Sequence, residues 1–258
     1  MENKTTSQND RFVLKNDETD FEKACKVETE GLEIYLENYW IPLLKNSTAI
    51  KNLWFLFPPD HKTVGKYSIL NNCPTQRLRI FLKDVYKDYF LYRERISKRE
   101  FLKYMQIYYG DLLIELNLNQ FESKIKNKLV PFRNHPFLFI EAKFEKKTSK
   151  RGNLYLEEYS DCREEIGIKK MGWFHFEKNL RADFIDYMFL EDQILRRVNY
   201  GKLKSFIYNQ DGSRTDESKH FHSTGQGVYK NQKNVPSGIL TPIDIIREKV
   251  GFALEEKI

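Results

Sequence analysis

Residues 137–143 read Phe-Leu-Phe-Ile-Glu-Ala-Lys, and the texture of the chain turns over around this stretch. Aromatic and β-branched residues in a short unbroken run favour a pleated strand over a helix. The texture starts to change at Pro131, and similar short runs follow at Phe137 to Phe144, Asn153 to Tyr159, Ile166 to Lys170 and Trp173 to Phe176. Lys150-Arg151-Gly152, Ser160-Asp161 and Met171-Gly172 separate them, which predicts an antiparallel meander.

Upstream of this stretch the period is helical. Leu78, Phe81, Leu82, Val85, Tyr86 and Tyr89 recur every three or four residues and predict a helix from Thr75 to Tyr92. A second helix is predicted from Ser97, because Ser97-Lys98-Arg99-Glu100 has the form of a reciprocal cap: the serine oxygen accepts an orphan amide and the glutamate reaches back. Gly110 is its stop signal. Phe21 to Lys45 suits one or two amphipathic helices interrupted at Gly31 and Pro42, with Glu22, Glu28, Glu30, Glu33 and Glu37 on a solvated face. A Lys-rich helical piece is expected over 119–128.

Downstream, Leu180, Phe184, Met188, Ile194, Leu195 and Val198 suggest a helix over 179–198, and Lys202 to Tyr208 a strand. Residues 209–238 lack a period and read as a long polar loop, with disorder favoured over order. The last helix is predicted with Thr241 as cap and Pro242 at its first position. The expected fold class is α+β, a helical N-terminal half followed by an antiparallel meander packed with two C-terminal helices. Its expected parts are a mobile arm over 1–20, a mainly helical region over 21–128 and an α+β region over 129–258.

Composition narrows the function classes. The chain has 258 residues, of which 40% are hydrophobic, enough for a sizeable core. The longest apolar run, Leu53 to Phe57, is far short of the roughly 20 residues a membrane helix needs. Residues 1–20 carry no apolar core of a secretory signal, and Cys25, Cys73 and Cys162 are scattered and odd in number, so a reducing cytoplasm is expected and no membrane partner. Phosphate-loop, dinucleotide-binding, nucleophile-elbow and zinc-protease signatures are missing.

Charge points toward nucleic acid. The net +6 is uneven, since Met1 to Asp60 holds seven cations against eleven carboxylates. Cations neutralise phosphates, and aromatics at 14% can stack on bases. Between Arg77 and Lys103 nine cations (Arg77, Arg79, Lys83, Lys87, Arg93, Arg95, Lys98, Arg99 and Lys103) face four carboxylates in two consecutive helices. This local texture resembles that of helix-turn-helix DNA readers. Lys146, Lys150 and Arg151 would extend the cationic surface at a hairpin tip. The first functional reading is therefore a cytosolic nucleic-acid-binding protein, DNA or RNA, of a mobile element or replication system, without a cofactor.

The stretch at 137–143 supports a second reading. Alternation along a strand puts Glu141 and Lys143 on one face. An apolar strand ending in Glu-x-Lys resembles the half-motif of the PD-(D/E)XK nuclease family, and the resemblance implies strand-borne acids holding a divalent metal beside a lysine. Asp111, after Gly110 and before Leu112-Leu113-Ile114, is the candidate upstream acid, with Asp60 of Pro59-Asp60 an alternative. Asp111, Glu141 and Lys143 would be catalytic and Mg2+ the cofactor. The competing explanation of Glu141 and Lys143 is an ordinary cross-strand charge pair.

His220-Phe221-His222 with Tyr229 and Lys233 resembles the ingredients of rolling-circle initiators, although the histidines stand only seven residues before the tyrosine. A third reading is a protein-interaction or inhibitor module with opposed acidic and basic faces. The aromatic content leaves a homodimer open.

Overall fold

The computed structural model describes residues 20–56, 75–88, 96–117, 136–146, 152–163, 168–178, 180–224 and 236–258. The N-terminal amphipathic stretch forms α1 (Asp20–Tyr35), a π-helical segment Leu36–Trp40, and α2 (Ile41–Asn46), with Pro42 in its first turn where no amide is needed. After β1 (Ile50–Phe55) come α3 (Thr75–Tyr86) and α4 (Lys98–Tyr109). The cap expected at Ser97 is present: Glu100 N donates to Ser97 Oγ at 3.2 Å, and Ser97 N to Glu100 Oε2 at 2.9 Å.

Strands β2 (Leu112–Leu116), β3 (Phe137–Glu145), β6 (Phe184–Phe189), β7 (Ile194–Asn199) and β10 (Phe252–Lys257) join β1 in a six-stranded sheet ordered β1-β2-β3-β6-β7-β10. All its neighbours are antiparallel except β3 and β6, which run parallel with Ile140 opposite Phe184. Residues 137–143 lie in the middle of this sheet. Phe137 to Ala142 are buried in succession, as a strand covered on both faces must be.

A second sheet, ordered β5-β4-β9-β8, is built from β4 (Asn153–Arg163), β5 (Ile168–Met171), β8 (His222–Thr224) and β9 (Ser237–Pro242). On one face of the large sheet Leu138, Ile140 and Ala142 pack on Leu32, Tyr35, Leu36 and Trp40. On the other, Phe137 and Phe139 pack under α3 and α4, while Ile185, Tyr187 and Phe189 pack under the second sheet. Odd-numbered residues of β3 beyond Phe139 therefore point between two different covers.

The chain is α+β, but its layout differs from the expected one. The first half supplies two strands, and the large sheet draws strands from both sides of the expected boundary at 128/129. No single meander forms, because β3 and β4 lie in different sheets. β3 and β4 therefore do not pair with each other, and Lys150 and Arg151 lie outside the described residues. Residues 184–199 are the β6–β7 hairpin rather than a helix. Phe-Ile-Asp-Tyr-Met-Phe is buried throughout, and a strand covered on both faces has no period of two to betray it.

Residues 202–207 belong to a helix, α5 (Tyr200–Ile207), which Asn199 caps by accepting from Lys202 N at 2.7 Å. Trp173 to Phe176 form turns, not a strand. Thr241 and Pro242 end β9, so α6 (Ile243–Lys249) starts one residue later than expected and Pro242 is its cap position. Within 209–238, residues 209–224 are ordered around a Tyr208–Arg214 bridge and a 3-10 turn at Ser218–His220. Residues 225–235 and the expected helix at 119–128 lie outside the described residues. No described helix is long and apolar enough to cross a membrane.

Candidate active site

The site begins with a glycine. Gly110 ends α4 with φ +103°, and a Cβ there would stand 2.7 Å from the Ile140 carbonyl oxygen, so the chain passes flush against β3. This delivers Asp111 just before β2. Its amide donates to Ile140 O at 2.9 Å and its carboxylate Oδ2 accepts from Ala142 N at 2.9 Å. The side chain thus continues the ladder where β2 stops pairing, since Leu112 stands opposite Ile140 and nothing on β2 reaches further along β3.

Beside it, Glu141 and Lys143 share one face of β3, as the alternation predicts. Lys143 Nζ lies 2.7 Å from Glu141 Oε1 and 5.2 Å from the centre of the Trp173 ring. Asp111 is 7% exposed and Glu141 5%, so two carboxylates sit in the same low-dielectric spot. Burial first, then the neighbouring Glu141, pushes the Asp111 carboxyl up to about 7. Burial works against the Lys143 ammonium, but Glu141 and Asp111 outweigh it and hold its pKa above the lysine range.

These three residues line one cavity of about 360 Å³. Its other polar walls are Glu28 of α1, Gln106 of α4, Glu157 and Ser160 of β4 and Lys178 from the turns after β5. The Gln106 amide faces the Asp111 carboxyl and works against its upward shift. Burial raises the Glu157 carboxyl and lowers the Lys178 ammonium. Gly172 brings that wall in, for its amide donates to Glu158 O at 2.7 Å and a Cβ would meet Glu157 O at 2.5 Å. Sequence reasoning missed all five of these polar residues: Glu28 was one acid among five on a helix, and Glu157, Ser160 and Lys178 belong to elements whose approach depends on the second sheet.

Among the described residues no group of three or more His, Cys, Asp or Glu side chains comes together as a ready metal cage. Two carboxylates remain, both hard oxygen donors. That set suits magnesium, which keeps several waters and commonly takes one or two carboxylates plus substrate phosphate oxygens.

The cationic surface is less available than its sequence suggests. The Arg77 guanidinium bonds Glu115 and lies 5.3 Å from the Phe137 ring, and Arg79 lies 5.1 Å from the Phe101 ring and donates to Ile96 O. Lys87 Nζ donates to Asp84 O at 2.9 Å. Lys83 has a contact of its own, and so does Arg99. Lys103 and Lys146 are exposed, and Lys98 opens α4. Arg93, Arg95, Asp60, Tyr229 and Lys233 lie outside the described residues. His220 is exposed at the 3-10 turn, and the backbone of His222 begins β8.

Neither a family model, nor a curated protein, nor a solved structure matches the chain.

Proposed function

We propose that the chain is a metal-dependent nuclease that hydrolyses phosphodiester bonds in the cavity around Asp111, Glu141 and Lys143. The observation that carries this reading is the convergence of two buried carboxylates and a lysine, one from the residue before β2 and two from β3, at the point where β2 begins beside β3. The cavity holds four carboxylates, Glu28, Asp111, Glu141 and Glu157, against two lysines, Lys143 and Lys178, more acid than ion pairing needs. A second buried acid, whose ionisation the first opposes, costs stability unless it serves a task. The resemblance of Glu141-Ala142-Lys143 to the PD-(D/E)XK half-motif adds to this, with Asp111 as the upstream acid.

In this reading Asp111 and Glu141 hold a divalent cation. When bound, that ion supplies Lewis-acid stabilisation of the charge that develops on the phosphate. Lys143 stays protonated next to Glu141 and holds the attacking water or a phosphate oxygen by hydrogen bonding. Ala142 N fixes the Asp111 carboxylate, so that its orientation is set before substrate arrives. Trp173 and the Gly172 turn limit water on the second-sheet side.

The test is incubation of the purified chain with end-labelled DNA and RNA, with magnesium or with EDTA. Fragments are expected with magnesium only, and none from Glu141→Gln or Lys143→Met. Cleavage that survives both substitutions, or intact nucleic acid under every divalent cation, overturns the reading.

A further inference from the structure

Four large apolar side chains are exposed among the described residues: Ile80, Val85, Ile107 and Met171. Single exposed apolar residues need no explanation, but convergence does. Ile107, 39% exposed on α4, and Met171, 50% exposed at the end of β5, belong to different layers yet line the same cavity as Asp111 and Glu141. Trp173 adds its indole. The cavity therefore has a charged floor and an apolar lip.

Lys178 supplies the second cation of that floor. Its ammonium makes no ion pair among the described residues, whereas Lys143 is bonded to Glu141. Glu141, Glu157 and Asp111 all act on it across the cavity. With a divalent cation on Asp111 and Glu141, as the nuclease reading has it, this lysine would be left beside Lys143 as a donor for an anionic oxygen.

A duplex does not suit this pairing of lip and floor. Its bases are stacked inside, so aliphatic side chains next to a gripped phosphate would meet only sugar edges and water. In an unpaired strand the base swings free and buries its face on apolar side chains. The cavity, about 360 Å³, is of the size class that encloses a small ligand rather than a helix.

We propose that the cavity accepts one nucleotide of an unpaired polynucleotide strand, its phosphodiester against Lys143 and Lys178 and its base against Ile107 and Met171. The proposal rests on the nuclease reading for its floor and extends it to the class of substrate.

The experiment is fluorescence anisotropy of the full chain with a labelled 12-nucleotide DNA strand, the matching RNA strand and the matching DNA duplex, with calcium in place of magnesium as the oxygen-bound cation. Magnesium cleavage assays run in parallel. The unpaired strands are expected to bind about tenfold more tightly than the duplex, the worth of one modest base contact. Met171→Gln with Ile107→Gln, both at exposed positions, is expected to remove that preference while duplex affinity and melting temperature stay unchanged. Lys178→Met is expected to weaken strand binding and make its dependence on log salt shallower by about 0.7, one phosphate contact fewer. Tighter binding of the RNA or of the DNA strand identifies which polymer carries the nucleotide.

Equal affinity for strand and duplex, or a preference that survives the double substitution, overturns the proposal. The nuclease reading would still stand if magnesium cleavage persists and Glu141→Gln abolishes it. The reverse result, strand preference lost in the double variant but no cleavage with any divalent cation, sustains the nucleotide pocket and removes the nuclease.

Discussion

Replacing Asp111 by Asn should make the metal-free protein more stable, although it should abolish cleavage. The acid is buried beside Glu141, and its carboxyl titrates at about 7 instead of the usual 3.8. At about 1.4 kcal/mol per pH unit, ionising it inside the fold costs up to about 4 kcal/mol. Because the folded value is raised, the native state holds its proton longer than the unfolded chain does. Stability is therefore fully present below about pH 4, falls as pH rises towards 7, and stays low above.

Asn keeps the acceptor that Ala142 N needs and removes the charge, so above pH 7 a gain of about 2–4 kcal/mol is expected. For a chain of this length that is a rise in Tm of roughly 5–10 °C. The assay is thermal unfolding in EDTA at pH 5 and pH 8, for both proteins. Glu145 and Glu157, also raised by burial, act in the same direction, and Glu115 and Glu255, lowered by their partners, oppose it, so the difference between the proteins isolates Asp111. Magnesium at pH 8 should narrow the gap by stabilising the wild type alone. The reasoning fails if Asp111→Asn is less stable at pH 8, or if the gap is the same at both pH values.

Other substitutions test the supports of the site. Gly110→Ala should cost more than about 1 kcal/mol in urea unfolding and remove cleavage, because the residue takes φ +103° and its Cβ would press on Ile140 O. Ser97→Ala should cost about 1 kcal/mol and leave cleavage unchanged, since the cap lies three turns from Asp111. Arg197→Met should cost about 3–5 kcal/mol by leaving Asp186 buried without the guanidinium that now bonds it at 2.5 Å, and adding Asp186→Asn should restore much of the loss.

Local chemistry was legible in the sequence and tertiary pairing was not. The Ser97 cap, the Gly110 stop, the strand at 137–144 and the shared face of Glu141 and Lys143 depend on neighbours within a few residues, and all four are present. Asp111 could be suspected from Gly110 and the apolar run after it, but the hold of its carboxylate on Ala142 N needs β2 and β3 to meet across 20 intervening residues. The β6–β7 hairpin misled because Phe184, Met188 and Leu195 mimic helical spacing in strands covered on both faces. Asp186 inside β6 carried the opposite hint: an acid in an apolar run needs a buried partner, and Arg197 on the next strand is that partner. Glu28, Glu157 and Lys178 had no local signature, because what distinguishes them is the cavity they face.

The pairing of β4 with β9 has a consequence for how the chain is made. Asn153 stands opposite Pro242, so the wall that bears Glu157 and leans on the Trp173 turn waits for a strand translated almost ninety residues later. The strands that carry Asp111, Glu141 and Lys143 precede it on the ribosome. A nascent chain, or one cut after Thr224, would hold every residue of the floor while lacking the strand that steadies its wall. Messages that stop short of Pro242 would then yield protein with the acids and the lysine but no closed pocket around them.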